Sequence, residues 1–248
     1  MRNKTIGIGI SCFNRLNNVR SILATLRRFN LTKGYLVVFA SDGCTDGTQN
    51  FLRQQKDIVS ILAKNQGVAA NKNRLLKVLK NFEYIFLFED DILLVKPQLF
   101  QYTINTHKKT GLHHFNYGCL ATYKPKIYKG IPLYGSGDLN GQFVFITQKV
   151  LQKVGYLNPA FKGYGYEHCE WTYRICKAGL YKWVPYYTLH QPKRFFEFLS
   201  VNGGMPKRNK NRWSEKNSQI FSDFTHSKKF KLYQKDPEEK FEVLKRDF

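Results

Sequence analysis

The sequence lacks a long apolar run. No stretch of its 248 residues reaches the roughly 18 consecutive apolar residues that a membrane-spanning helix needs, because Glu89 to Asp91 interrupt the best candidate. Residues 1–4 lead directly into a β-branched run and lack the apolar core of a signal peptide. These absences predict a cytoplasmic protein.

Internal repeats and Pro-rich or Gly/Ser-rich linkers are also missing from the sequence. At 248 residues the chain is long enough for one large α/β domain with a substantial buried core. We therefore expect one domain with a C-terminal extension.

Acidic residues and cysteines are scarce. Only 18 Asp and Glu oppose 40 Lys and Arg, so the formal net charge is +22. Such a balance suits an anionic partner, for example a phosphate group, an anionic membrane surface or a polyanionic acceptor. The five cysteines form an odd set without a Cys-x-x-Cys pair, which favours reduced thiols over a disulfide framework or a zinc site.

Three carboxylates stand together in this basic chain. Glu89, Asp90 and Asp91 follow directly on the apolar run from Tyr84 to Phe88. Adjacent carboxylates repel one another and raise one another's pKa, and a hard divalent cation relieves that repulsion. A bound cation could then hold a phosphate. The triplet alone fits a solvated acidic turn after an edge strand equally well.

The first 90 residues alternate between two patterns. Short β-branched runs, beginning with residues 5–10, are each followed by a segment with apolar residues at helical spacing. This alternation predicts a parallel, doubly wound sheet. Ligands of such sheets bind at the carboxyl ends of the strands, which here carry Asn14, Asp42, Asn65 and Asp91.

Several short motifs follow one another in a characteristic order. They are Ser11-Cys-Phe-Asn-Arg15, Ser41-Asp-Gly-Cys-Thr-Asp-Gly-Thr48, Asn65-Gln-Gly67, Glu89-Asp-Asp91, a strand-then-helix segment over 140–158, and Gly163-Tyr-Gly-Tyr-Glu-His-Cys-Glu-Trp-Thr-Tyr-Arg174. Together they resemble the family 2 glycosyltransferases of the GT-A fold, over roughly residues 5 to 192. Each motif alone is weak, and the resemblance rests on their order.

The resemblance implies a GT-A type fold, with a Rossmann-like, mostly parallel sheet flanked by helices. It implies a glycosyltransferase domain over 1–192, divided into a donor half of about 1–95 and an acceptor and catalytic half of about 96–192. Residues 193–248 would form a basic lid loop and a C-terminal extension packed on the same domain.

The activity implied by the resemblance is a hexosyl transfer with inversion. The donor would be a nucleotide-diphosphate sugar, with a UDP-sugar expected. The acceptor would be a hydroxyl of a glycan or lipid-linked glycan, as in bacterial-type surface polysaccharide synthesis. A divalent metal, Mn²⁺ or Mg²⁺, would neutralise the leaving phosphates.

The resemblance also assigns residues to the donor site. Asp91 would be a direct metal ligand, and His190, after a strand-like segment, would complete the metal site. Asp42 would accept a hydrogen bond from the nucleotide base, or else cap a turn. Arg74 would contact a phosphate, or else be a solvated surface group. The full donor pocket would consist of Asn14, Arg15, Asp42, Asn65, Gly67, Asn71, Arg74, Glu89 and Asp90.

The catalytic base is where the chain departs from the pattern. Similar enzymes carry an aspartate after the glutamate of this motif, and here His168 follows Glu167. A histidine with a pKa of about 6.5 is a competent base, and Glu167 and Glu170 would raise that pKa. Glu167 is the rival base, and Glu170 would orient either one. An acidic helix N-terminus that only complements the helix dipole is the alternative.

The tail and two other functions complete the expectations. Residues 202–217 predict a mobile lid, with Lys207, Arg208, Lys210 and Arg212 over the diphosphate, or else a solvated or membrane-facing loop at the inner face of the membrane.

Two other functions are compatible with the sequence. A metal-dependent nucleotidyltransferase would share the carboxylates but would not need Gly163 to Arg174. A non-catalytic, basic nucleotide- or nucleic-acid-binding protein would explain the pI of about 9.8. No nucleic-acid module is recognisable, so no nucleic-acid partner is expected.

Overall fold

The computed structural model describes residues 5–117, 125–136, 140–181, 186–189, 194–199, 204–226 and 231–244. The strands in these residues are β1 (Ile6–Cys12), β2 (Leu36–Asp42), β3 (Val59–Ala63), β4 (Tyr84–Glu89), β5 (Ile92–Leu94), β6 (His114–Tyr117), β7 (Lys126–Tyr128), β8 (Ile131–Ser136), β9 (Asn140–Thr147), β10 (Tyr186–Leu189), β11 (Phe196–Phe198) and β12 (Glu242–Leu244). The helices are α1 (Leu16–Arg28), α2 (Leu31–Gly34), α3 (Thr48–Arg53), α4 (Val68–Leu79), α5 (Gln98–Thr110), α6 (Gln148–Val154), α7 (Glu167–Lys177) and α8 (Lys207–His226).

One ten-stranded sheet organises these elements, in the order β12-β3-β2-β1-β4-β9-β6-β10-β8-β7. The strands β3, β2, β1 and β4 run parallel, as the alternation of strands and helices predicts. Their residues are buried on both faces, which explains their continuous apolar sequences. A Cβ on Gly7 would lie 2.7 Å from Leu79 Cδ2, so this glycine lets α4 pack closely on β1.

The second half of the sheet is antiparallel around β9, which lies between β4 and β6 and runs opposite to both. Among the pairings of this ten-stranded sheet in the described residues, four are parallel and five antiparallel, so the sheet is mixed instead of mostly parallel. The α/β fold class itself is confirmed. Aromatic side chains fill the core at this junction, where the rings of Phe86 and Phe145 lie 5.0 Å apart.

The C-terminal residues contribute two short strands. β11 pairs with β5, directly after the acidic triplet, in a separate two-stranded sheet, and β12 adds an edge strand to β3 of the ten-stranded sheet. Between β11 and β12 in the chain, α8 packs against α7, where the rings of Phe221 and Tyr173 lie 6.5 Å apart. The sequence-based division at residue 192 stays a prediction.

Two further facts bear on the expected environment. In the part of the chain that the structure describes, no helix is both long enough and apolar enough to cross a membrane. None of the described cysteines, Cys12, Cys44, Cys169 and Cys176, forms a disulfide.

Candidate active site

A cleft of about 380 Å³ opens at the carboxyl ends of β1, β2 and β4, opposite the N-terminus of α7. It brings together most of the residues that the sequence proposes for the site: Arg15, Asp42, Asn65, Gly67, Asn71, Glu89, Asp90, Asp91, Glu167 and His168. Asn14, Arg74 and Glu170 do not line it. His190 lies outside the described residues.

Asp90 fastens the loop after β1. Its Oδ2 accepts a hydrogen bond from the backbone N–H of Phe13 at 2.7 Å, and its Oδ1 accepts one from Arg15 Nη1 at 2.5 Å. Burial raises the pKa of Asp90 to about 7. Both carboxylate oxygens already have protein partners, so the geometry gives Asp90 a role in shaping the loop.

Asn14 has a similar structural part in the neighbouring loop. Its backbone is left-handed with φ of 52°, and its Oδ1 accepts a hydrogen bond from Thr45 N at 2.7 Å. The side chain thereby ties the loop after β1 to the loop after β2. The structure does not support a direct contact of Asn14 with a nucleotide-sugar donor, because the side chain points toward Thr45 and does not line the cleft.

Asp91 differs from Asp90 in having an open oxygen. Its Oδ1 is buried and has no hydrogen-bond partner among the described residues, while its Oδ2 lies 3.6 Å from Arg15 Nη1. Burial, with the charge of Glu89, raises the pKa of Asp91. A buried carboxylate oxygen without a partner is costly, and a cation would relieve that cost.

The described residues contain no group of three or more His, Cys, Asp or Glu side chains that could hold a metal ion by themselves. Mg²⁺ and similar ions often bind through one or two carboxylates, with substrate phosphates and water as the other ligands. Asp91, with Glu89 beside it, fits that donor set.

Asp42 is held from two directions. Its Oδ1 accepts hydrogen bonds from Gln66 N at 2.9 Å and from Arg74 Nη1 at 2.8 Å, and its Oδ2 accepts one from Gly67 N at 2.8 Å. Burial raises the pKa of Asp42, and these donors oppose that rise. The carboxylate therefore fixes the loop over residues 65–67 as one wall of the cleft.

Arg74 matches neither sequence-based reading. Its side chain is completely buried, so it is not a solvated surface group. It pairs with Asp42 and with Glu239 of the C-terminal segment, which leaves no free edge of the guanidinium for a phosphate. The sequence could not reveal Glu239 as a partner, because 165 positions separate the two residues.

Gly67 makes a close crossing of two loops possible. Its φ is 97°, and a Cβ there would collide with the backbone of Gly163. The backbone N–H of Val68 donates to Gly163 O at 2.9 Å. The loop after β3 and the glycine-rich loop before α7 thus form one continuous wall.

Lys72 is the main site residue that the sequence analysis missed. Its ammonium is fully buried and donates to Glu89 Oε1 at 2.5 Å and to Gly141 O at 2.7 Å, and it lies 2.6 Å from His168 Nε2. An ammonium has no acceptor, so Nε2 must accept and the His168 proton must sit on Nδ1. A lysine at an ordinary helix position carries no sequence signal for this role.

Glu167 and His168 begin α7, line the cleft and are both buried. Burial raises the pKa of Glu167 to about 7, with Lys72 acting in the opposite direction. Burial, together with the Lys72 charge, lowers the pKa of His168 well below 6.5. The expected rise in the pKa of His168 is therefore wrong, because the nearest charge is the Lys72 ammonium and the nearest Glu167 oxygen is 4.0 Å away.

Glu170 does not orient either candidate base. It is fully buried, and both its oxygens accept hydrogen bonds from Arg174 on the next turn of α7, at 2.8 and 2.9 Å. Arg174 also donates to the backbone carbonyls of Val154 and Tyr156. The pair anchors α7 to the end of α6, and its role is structural.

The expected mobile lid is helical from Lys207 onward, because α8 begins just after Pro206. Asn217 Nδ2 donates to the carbonyls of Lys162, Tyr164 and Gly165, which fastens the helix to the glycine-rich loop. The sequence did contain a signal for this helix: Trp213, Ile220 and Phe221 have the spacing of one apolar helix face.

Of the four basic residues proposed for the lid, only Lys210 lines the cleft, and its Nζ lies 5.4 Å from the centre of the Tyr164 ring. Lys207, Arg208 and Arg212 are exposed and lie outside the cleft.

The sheet order, the acidic strand end and the glycine-rich loop before α7 define a GT-A type α/β fold. No family model matches the sequence. An uncharacterised glycosyltransferase of Acanthamoeba polyphaga mimivirus is 28% identical over 191 residues, which cover 71% of this chain and 74% of that protein.

Solved structures agree on the fold. The mannosyltransferase PcManGT of Pyrobaculum calidifontis, in complex with GDP-Man and Mn²⁺, superposes with a TM-score of 0.55 at 13% identity. It matches 86% of this chain, which spans 60% of that protein. S. aureus TarS superposes with a TM-score of 0.54 at 14% identity, and the match covers 90% of this chain and 72% of the TarS chain. The catalytic domain of Drosophila beta1,4galactosyltransferase 7 superposes with a TM-score of 0.51 at 13% identity, and the match covers 84% of this chain and 79% of that chain.

Proposed function

We propose that this protein is an inverting, metal-dependent glycosyltransferase that moves a hexose from a nucleotide-diphosphate donor to a hydroxyl of a glycan or lipid-linked glycan. A UDP-sugar is the donor we favour, with a family 2 type mechanism. The similarity to the mimivirus glycosyltransferase supports the reaction class, and the Mn²⁺ and GDP-Man bound by the archaeal neighbour support the ligand class.

One observation carries the proposal: Asp91 and Glu167 line the same cleft. Asp91 presents a buried oxygen that no described residue uses, which suits a cation beside a diphosphate. Glu167 is a carboxyl group with a pKa of about 7, which suits proton transfer at neutral pH. Sugar transfer from a nucleotide diphosphate needs both functions in one place.

Asp91 would hold the metal, with Glu89 nearby and His190 as a further ligand in the proposal. A bound divalent ion supplies Lewis-acid stabilisation of the negative charge that develops on the leaving diphosphate. The protein's own task at this end of the cleft is to bind and orient the donor. Asp42 and the loop over residues 65–67 form the wall that would contact the nucleotide.

Glu167 is the base that we assign. It would take the proton from the acceptor hydroxyl while that oxygen forms a bond to the anomeric carbon. The bond from this carbon to the diphosphate oxygen breaks on the opposite face, which inverts the configuration. His168 is the weaker candidate, because its Nε2 lone pair already accepts a hydrogen bond from Lys72 and its pKa is lowered.

A binding panel tests the proposal. UDP- and GDP-sugars are added with and without Mn²⁺, and thermal unfolding and slow donor hydrolysis are measured. A ligand at 100 times its Kd stabilises the folded state by about 2.7 kcal/mol, so a true donor should raise the Tm only when the metal is present. No metal-dependent stabilisation by any nucleotide sugar would contradict the proposal.

The acceptor side is proposed from charge. The net charge of +22 favours an acceptor or surface that bears negative groups, and a peripheral contact with the anionic inner face of the cytoplasmic membrane is consistent with it. Vesicles with and without anionic lipid test this part. Equal binding to both would contradict a membrane contact without affecting the assignment of the donor site.

A further inference from the structure

The C-terminal segment contacts Arg74, which in turn contacts the wall of the cleft. We call residues 234–244 the C-terminal strap. At one end of the strap, β12 pairs antiparallel with β3. At the other end, Gln234 donates its N–H to Val154 O at 3.1 Å and accepts the N–H of Tyr156 at 3.1 Å. Between these attachments, Glu239 meets Arg74.

The pairing of Glu239 with Arg74 is two-pronged. Arg74 Nε donates to Glu239 Oε1 at 3.0 Å, and Arg74 Nη2 donates to the same oxygen at 2.5 Å. Nη2 also donates to Lys64 O at 3.0 Å. The Arg74 side chain is completely buried, and the Glu239 side chain is 18% exposed. A buried guanidinium needs such partners, because unpaired donors keep their full desolvation cost.

The opposite edge of Arg74 holds the cleft wall. Its Nη1 donates to Asp42 Oδ1, whose carboxylate in turn accepts the N–H groups of Gln66 and Gly67. Gly67 lines the cleft and touches the glycine-rich loop at Gly163. A chain of charged hydrogen bonds therefore connects the strap to the loop that forms the wall.

We propose that Glu239 is a positioning residue for the donor side of the cleft. It fixes the guanidinium of Arg74, which fixes Asp42 and, through Asp42, the backbone of residues 65–67. The strap thereby supports the wall of the cleft, although none of its residues lines the cleft. The inference rests on the proposed function only for the identity of the ligand, a nucleotide sugar.

Amide hydrogen exchange in the full-length protein without ligand tests the positioning directly. Glu239→Gln keeps the shape of the side chain and removes its charge. We expect the amides of Gln66 and Gly67 to exchange roughly tenfold faster, since a charge-assisted hydrogen bond is replaced by a neutral one. If these two amides exchange at the same rate in Glu239→Gln as in the wild type, and exchange is faster only within residues 234–244, the proposal is overturned.

Glu242→Gln is the matched control. It removes the same charge from the same strap, but Glu242 pairs at 3.5 Å with the half-exposed Arg53 and does not contact Arg74. We expect unchanged exchange at Gln66 and Gly67 in this variant. A rise equal to that of Glu239→Gln would assign the effect to general loosening of the strap and overturn the specific role of Glu239.

Kinetics provide a second readout. Loss of positioning should raise the KM for the nucleotide sugar several-fold with kcat little changed, because the wall contacts bound donor in ground state and transition state alike. If the wild-type protein binds no nucleotide sugar, the proposed function fails while the exchange comparison still decides the positioning role. If Glu239→Gln does not fold, Glu239→Asp is compared by the same two amides.

Discussion

Replacing Glu167 with glutamine should slow turnover strongly and, at alkaline pH, make the protein more stable. The pKa of Glu167 rises from its ordinary value of 4.5 to about 7, chiefly because the carboxyl group is buried. One pKa unit corresponds to about 1.4 kcal/mol, so above pH 7 the ionised side chain lowers the free energy of unfolding by about 3 kcal/mol. Glutamine removes that charge and keeps the shape.

The sign of the pH dependence follows from the direction of the shift. A carboxyl group whose pKa is higher in the folded protein binds its proton more tightly there than in the unfolded chain. Its contribution to stability is present below pH 4.5 and is lost as the pH rises through 7. Wild type and Glu167→Gln should therefore be similarly stable at pH 5, while the variant should be more stable at pH 8.

Thermal unfolding between pH 5 and pH 8 measures this difference. For a chain of this size, about 3 kcal/mol corresponds to a rise in Tm of roughly 6–12 °C at pH 8. Turnover should fall by roughly 10²–10⁴-fold, as is typical for loss of a general base. A stability difference that is the same at pH 5 and pH 8 would refute the reasoning, because burial of a charge could not then be its cause.

Glu170→Gln is the control for position on the helix. Glu170 is also buried on α7, but it is paired with Arg174. Breaking a buried ion pair leaves an uncompensated charge and costs about 3–5 kcal/mol. This variant should therefore be less stable than wild type at both pH values. The opposite signs of the two effects at pH 8 would separate a buried carboxyl group without an ion-pair partner from one that is paired.

Further predictions concern the other groups of the cleft. Asp91→Asn should abolish Mn²⁺-dependent donor binding and leave the fold intact; unchanged metal-dependent affinity in titration calorimetry would contradict the metal assignment. His168→Ala should keep donor affinity and lose less turnover than Glu167→Gln, and the reverse order would make His168 the base. Wild-type kcat/KM should fall as the pH drops below about 7, since the base must be deprotonated. Proteolysis over 202–217 should slow with donor and metal together if Lys210 meets the diphosphate; equal cleavage would favour a plain surface helix.

The parallel half of the fold could be predicted from the sequence because its signals are local. The apolar run from Tyr84 to Phe88 corresponds to β4 (Tyr84–Glu89), and the segment of helical spacing that precedes it corresponds to α4 (Val68–Leu79). Strands buried on both faces are continuously apolar, and that pattern does not depend on distant residues. The expectation that ligands bind at these strand ends agrees with the position of the cleft.

The antiparallel half and the tail were harder to predict, because their signals depend on contacts distant in sequence. The strand β12 consists of three residues at the edge of the sheet, and only its pairing with β3 defines it. The first half of α8 is rich in Lys, Arg and Asn, which suggested a loop. Its contacts with the glycine-rich loop explain why it is ordered as a helix.

The residues of α4 show most clearly why the site could not be derived from sequence alone. Helical spacing predicts one buried apolar face and one solvated polar face. In the structure, four consecutive polar residues of α4 are at least 97% buried: Asn71, Lys72, Asn73 and Arg74. Four successive residues complete a helical turn, so α4 is surrounded by protein on all sides at this turn.

Each of these four side chains binds a different part of the protein. Asn71 donates to Ser11 Oγ and Ala40 O in the parallel strands, and Asn73 exchanges two hydrogen bonds with the backbone of Leu157. Lys72 reaches the acidic strand end and the start of α7, while Arg74 reaches Asp42 and the C-terminal strap. Because the partners come from residues 11 to 239, the burial of these polar groups is a property of the completed fold. The same helix thus sets the charge around the proposed base through Lys72 and the shape of the proposed donor wall through Arg74.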